Sequence, residues 1–115
     1  MMRKNPKSRC TKKAVSKAVG VCRLYSALQE KCLDHLQADE QVKSIRCNVP
    51  LDGQDFTSDF MCQKLDGSYL VRECVERKHI AKPRNLSLLD ISRDYWIRHG
   101  VNDWGIVTDK EVHDA

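Results

Sequence analysis

Apolar residues recur at helical spacing over Leu24–Gln37, at Leu24, Leu28, Cys32, Leu33 and Leu36. That is the stripe of a helix packed on one side. The period then changes. Val42–Val49 alternates like a half-buried strand and Pro50 closes it. Asp52-Gly53 marks a turn, Phe56–Lys64 reads as a second strand, and Leu65-Asp66-Gly67-Ser68 as a hairpin turn into a third, Tyr69–Lys78. Lys82-Pro83-Arg84-Asn85 breaks the chain. Asn85 or Ser87 can cap a helix running to about Arg98, with Leu88, Leu89, Ile91, Tyr95 and Trp96 as its apolar positions and Gly100 as its stop. Trp104–Thr108 is a last short strand. Upstream, Thr11–Cys22 reads as a short basic helix with Ala14, Val15, Ala18 and Val19 on one side, preceded by an unstructured stretch over residues 1–10. From Leu24 onward the order is α-β-β-β-α-β. A three-stranded meander, a crossover helix and a strand rejoining the sheet predict an α/β fold, a small mixed sheet flanked by helices.

Composition adds three bounds. The chain has 115 residues, the size of one small domain, and 41% of them are hydrophobic, enough for a modest core. No apolar run is long enough to span a bilayer and the N-terminus lacks a signal-peptide core, so a soluble, cytoplasmic protein is expected. The six cysteines, at 10, 22, 32, 47, 62 and 74, lie ten to fifteen residues apart with no C-x-x-C pair. Those gaps do not fit common zinc patterns, and reduced core thiols are the expected state.

Charge changes the picture more. Residues 1–23 hold Arg3, Lys4, Lys7, Arg9, Lys12, Lys13, Lys17 and Arg23 and no acid, so of a net +4 this arm carries +8 and the remainder −4. A basic arm (residues 1–23, partly helical) on a mildly acidic domain (residues 24–112) suggests a polyanion partner, most simply nucleic acid; a solubilising tail is the plain alternative. Lys12, Lys13 and Lys17 in the arm, with Arg77, Lys78, Lys82 and Arg84 further on, are the candidate phosphate contacts.

The candidate chemistry sits in the second and third strands. Asp59 interrupts the hydrophobic strand pattern Thr57-Ser58-Asp59-Phe60-Met61-Cys62, where aspartate is disfavoured. Glu73 follows in the next strand, with Glu76 and Lys78 beyond it. Two carboxylates from paired strands and a nearby lysine form a hard oxygen site for Mg²⁺ or Mn²⁺ beside a phosphodiester. Alternation along a continuous strand would put Glu73, Val75 and Arg77 on one face and Cys74, Glu76 and Lys78 on the other, so Lys78 would need a bulge or a strand end near residue 75 to join the acids. Trp96, Trp104 and Tyr95 read as core.

Several stretches resemble one family. Tyr25-Ser26-x-x-Gln29 through Asp39-x-x-Val42, Phe56-Thr57-x-Asp59-Phe60, and Arg93-x-Tyr95-Trp96-x-x-x-Gly100 followed by Trp104-x-Ile106-Val107-Thr108 are similar to the TnsA-like endonuclease N-terminal domain, the endonuclease subunit of heteromeric transposases. That family belongs to the PD-(D/E)xK, or restriction-endonuclease-like, superfamily, whose core has the order αβββαβ. The resemblance implies an active site of a helix acid, a strand aspartate and a Glu/Gln-x-Lys. Asp59 matches the aspartate and Glu73 the Glu/Gln. Gln29 stands at the helix acid and Val75 at the lysine, while Glu76-Arg77-Lys78 supplies a displaced E-x-K. The chain ends just past the last strand, so the family's second domain is not expected.

The leading expectation is a metal-dependent DNA endonuclease in which Asp59 and Glu73 hold Mg²⁺ or Mn²⁺, with Gln29, Glu76 and Lys78 completing the catalytic set. The alternatives are a catalytically degenerate nuclease fold that binds DNA without cutting it, and a protein-interaction or inhibitor module of mobile-element origin. A homodimer is implied by resemblance alone, and a membrane partner is not expected.

Overall fold

The computed structural model describes residues 10–109. The expectations for residues 1–9 and for the chain beyond 109 fall outside that range. The fold is mixed α/β. Its main sheet has the order β3-β4-β5-β6, built from β3 (Val42–Pro50), β4 (Thr57–Lys64), β5 (Tyr69–Cys74) and β6 (Asp103–Val107). Pairing is antiparallel through β5, while β6 runs parallel to β5 after a crossover through α3 (Pro83–Arg98). A two-stranded ribbon, β1 (Thr11–Lys13) with β2 (Cys22–Leu24), precedes α1 (Ala27–Ala38).

Two cores explain the layers. On one face Leu28, Cys32, Leu33 and Leu36 of α1, with Cys22 and Leu24 of β2, pack on Val42, Ile45, Phe60, Cys62, Leu70 and Cys74. On the other, Leu89 and Trp96 of α3, with Leu51, Phe56 and Val101, pack on Val71 and Val75. The apolar stripes read from the sequence are these two helix faces, except that Leu24 lies in β2 and α1 opens only at Ala27. Local chemistry sets the helix ends: the Ser26 hydroxyl accepts the Gln29 N–H at 3.2 Å to open α1, and Pro83 at the start of α3 gives up an N–H that has no helical partner.

Four expectations change. Thr11–Cys22 is not helical. Its ends form the ribbon, and its middle lines the outer edge of β3, where Val19 N–H donates to Ile45 C=O and Ile45 N–H to Lys17 C=O. Those edge bonds satisfy the backbone better than an isolated twelve-residue helix with Gly20 near its end would. Secondly, Cys22 and Cys47 are joined in a disulfide with Cα atoms 5.5 Å apart, which ties the ribbon to the sheet; only Cys32, Cys62 and Cys74 keep the expected state of buried free thiols. Thirdly, β5 ends at Cys74, not at residue 78. Val75 N–H still donates to Val107 C=O, but Arg77–Ile80 then turns into the short helix α2. Finally, α3 begins at Pro83, earlier than Asn85 or Ser87. Asn85 instead donates its side-chain amide to His79 C=O and ties α2 to α3. No helix among the described residues is long and apolar enough to cross a membrane.

Candidate functional site

The β4–β5 ladder runs from Gln63↔Tyr69 to Phe60↔Arg72 and stops there. Asp59 and Glu73 are the next residues out, so they stand at the point where the strands part. Side chains take over from backbone pairing. The Asp59 N–H donates to Glu73 Oε1 at 2.9 Å, and the Cys74 N–H donates to Asp59 Oδ2 at 2.8 Å. Each carboxylate thus caps a main-chain donor of the opposite strand, which explains how two acids are tolerated inside a sheet.

The parting has a backbone cause. Cys47 and its partner Phe60 belong to the core under α1, yet Val49 belongs to the core under α3, and its partner Ser58 is bonded by Trp96 of α3. Residues two apart on a regular strand share a face. Here the face changes at Asn48, which has φ 53°, directly across from Asp59. Asparagine is one of the few residues that adopts this left-handed conformation readily. The local reversal of β3 and β4 turns Asp59 out of both faces and into the gap.

Both helices then close on the pair. From α1, Gln29 donates its amide to Asp59 Oδ1 at 3.1 Å and accepts the Tyr25 N–H at 2.6 Å. From α3, the Ser92 hydroxyl donates to Glu73 Oε2 at 2.6 Å. Two indoles orient the hydroxyls: Trp104 Nε1 donates to Ser92 Oγ at 3.0 Å and Trp96 Nε1 to Ser58 Oγ at 2.8 Å. An indole nitrogen only donates, so each serine is left to pass its own proton onward, and Ser58 also hydrogen-bonds Glu73. The network points inward at one acid. Asp59 is 1% exposed and Glu73 0%. Burial, then the neighbouring Asp59 charge, pushes the Glu73 carboxyl up to about 7, against the pull of its hydrogen bonds from Ser58, Ser92 and the Asp59 N–H.

The structure therefore brings together Gln29, Asp59 and Glu73, three of the five expected catalytic residues. The other two lie past the end of β5. Glu76 precedes α2 and lies 3.5 Å from His79. Lys78 is exposed on α2, and Val75, at the lysine position of the resembled motif, is 1% exposed in the core under α3. Ser58, Ser92 and the two indoles were missed by sequence reasoning. The one available signal was a serine on the apolar stripe of α3, four residues before Trp96.

The oxygens of the pair are engaged by the protein itself. Each carboxylate oxygen already accepts a hydrogen bond from the protein, the pair is sealed from water, and no group of three or more His, Cys, Asp or Glu side chains among the described residues is arranged to hold a metal. A hard divalent ion needs about six oxygens, several of them water. A groove of about 710 Å³ runs between α1 and β6, floored by Leu28, Cys32, Leu36 and Val107, with Glu76 at its rim, but neither acid lines it. The thiols beside the pair offer no nucleophile: burial pushes Cys62 up to about 12, and a hydrogen bond with Cys32 followed by burial raises Cys74 further.

The basic candidates divide in two. Lys13 faces Asp34 at 3.5 Å and Glu30 at 4.0 Å, and Lys17 Nζ donates to Asp39 C=O at 2.6 Å, so these hold the ribbon to α1. Lys12, Arg77, Lys78, Lys82 and Arg84 are exposed. Lys12 pairs directly across from Arg23, also exposed. No protein-family model and no curated protein matches the chain.

Proposed function

We propose that this chain is a restriction-endonuclease-like domain that does not cut DNA but holds its phosphate backbone, the acidic pair being kept as a structural lock. The observation that carries this reading is the engagement of every oxygen of Asp59 and Glu73 by the protein itself, in a place sealed from solvent. Each oxygen keeps a second lone pair, but a metal-bound water would have to compete with the protein's own donors at a pair that solvent does not reach. The element order from α1 to β6 supports the fold assignment, and the strand fork beneath α1 supports descent from a cleaving site. The binding half is supported by the exposed run Lys78, Lys82 and Arg84 and by Lys12 beside Arg23. Like charges directly opposite on a ribbon repel, and a phosphate between them removes that cost.

The test uses a labelled DNA duplex and supercoiled plasmid. Binding is expected to weaken steeply with salt. The combined Lys78→Ala, Lys82→Ala and Arg84→Ala variant is expected to weaken it tenfold or more and to flatten the slope of log affinity against log salt by about 3. Plasmid with Mg²⁺ or Mn²⁺ should stay supercoiled. Nicking that disappears with EDTA and in Asp59→Asn would replace this reading with a metal-dependent nuclease. Absence of binding at low salt would leave a protein-interaction role instead.

A further inference from the structure

The two edges of the main sheet are treated differently. The β3 edge is defended: residues 17–19 pair along it, Val42/Ser44 carries a register shift, Asn48 kinks it, Pro50 ends it, and Lys43 and Arg46 project from it exposed. These are the devices by which sheets discourage edge-to-edge pairing. The β6 edge has none of them. Its sequence is Asp103-Trp104-Gly105-Ile106-Val107, and its one charge, Asp103, is spent on Lys64 at 2.7 Å and Arg72 at 2.8 Å.

Register says which groups face outward. Val75 N–H donates to Val107 C=O, so Asp103, Gly105 and Val107 turn their backbone groups toward β5. Trp104 and Ile106 then direct N–H and C=O away from the sheet. Nothing among the described residues bonds those groups. Ile106 is also 43% exposed, a large aliphatic side chain on the same strand face as Trp104.

We propose that this edge pairs with the same edge of a second copy of the chain, antiparallel, about a two-fold axis through Gly105. That register sets Trp104 against Ile106 of the second copy and Ile106 against its Trp104. Each pairing exchanges two main-chain hydrogen bonds, and the two sheets join into one. The exposed Ile106 covers the half-buried indole opposite, a favourable aromatic–aliphatic cross-strand pair. The close, non-hydrogen-bonded contact on the axis falls on Gly105, which has no side chain to clash across it. The edge is complementary to itself in hydrogen bonding, in apolar surface and in its freedom from charge, and a second copy is therefore the occupant it fits. This inference stands apart from the DNA-binding reading.

Sedimentation equilibrium on the full chain, with amide hydrogen exchange at low and high protein concentration, tests it. A reversible dimer is expected, in which the Trp104 and Ile106 amides become protected as concentration rises. Ile106→Lys places a charge on the axis-flanking site, and Ile106→Pro removes an outward N–H while sparing every bond to β5. Both are expected to be monomeric, with Ile106→Lys keeping its thermal melt. A wild-type chain that stays monomeric at several hundred micromolar overturns the proposal. So does a dimer whose Trp104 and Ile106 amides exchange freely, or one that persists in both variants.

Discussion

Glu73 is where burial and charge compete most directly. In the unfolded chain its carboxyl titrates near 4.5, and in the folded protein near 7. Below 4.5 both states hold the proton and the folded state has its full stability. Between those values the unfolded chain releases the proton while the fold retains it, so stability falls as pH rises and levels off above 7. The loss is on the order of 3 kcal/mol. Glu73→Gln keeps the shape and removes the ionisation. Chemical denaturation across pH 4–8 should therefore show a declining midpoint in the wild type and a flatter one in the variant; equal slopes would place the pH dependence elsewhere. Ser92 is the hinge of the same network. Ser92→Ala strands the Trp104 N–H and removes a donor from Glu73, and is expected to cost about 2–3 kcal/mol in a denaturation midpoint. Asp59 was legible as a site residue because aspartate is out of place in a strand. Ser92 was not, since a serine on a helix is ordinary until one knows that a carboxyl lies beneath it.

At the level of elements, the disulfide and the strand fork carry the most weight. Cys22–Cys47 closes a loop with sequence separation 25 between a short ribbon and the central sheet. A cross-link of that span contributes about 3 kcal/mol, so reduction should lower the melting temperature by roughly 10 °C. Cys22→Ser should melt low and be indifferent to reductant; a variant still shifted by reductant would mean that another cysteine pair matters. The periodic elements, α1, β3, β4 and the body of α3, were readable because one periodicity ran through each. The ends were not. The third strand stops four residues short of its pattern: Val75 N–H still bonds β6, but the Arg77 N–H goes to Asp109, distant in sequence, and the chain turns into α2. The helical pattern upstream of Cys22 lost to the edge of β3 for the same reason: a long-range partner outbid local propensity.

For the whole molecule, the proposed role of Asp59 and Glu73 as a structural lock has a thermal consequence. A ligand that binds only the folded state raises its melting temperature. Neither Mg²⁺ nor EDTA is expected to move the melt, and a rise of several degrees with Mg²⁺ would show that the acids open to a metal after all. The sequence by itself determined the α/β class and the order of the longer elements from α1 to β6, without α2, and it marked Asp59, because hydrophobic period and an acid in a strand are local signals; Gln29 was placed beside Asp59 by the family resemblance alone. Only the tertiary structure decided that Cys22 meets Cys47, that Lys78 sits on α2 beyond the end of β5, and that the acids are buried with a protein donor on each oxygen. Those outcomes depend on which distant groups take up each carboxylate, thiol and main-chain donor, and the chain must be closed on itself before any such partner exists.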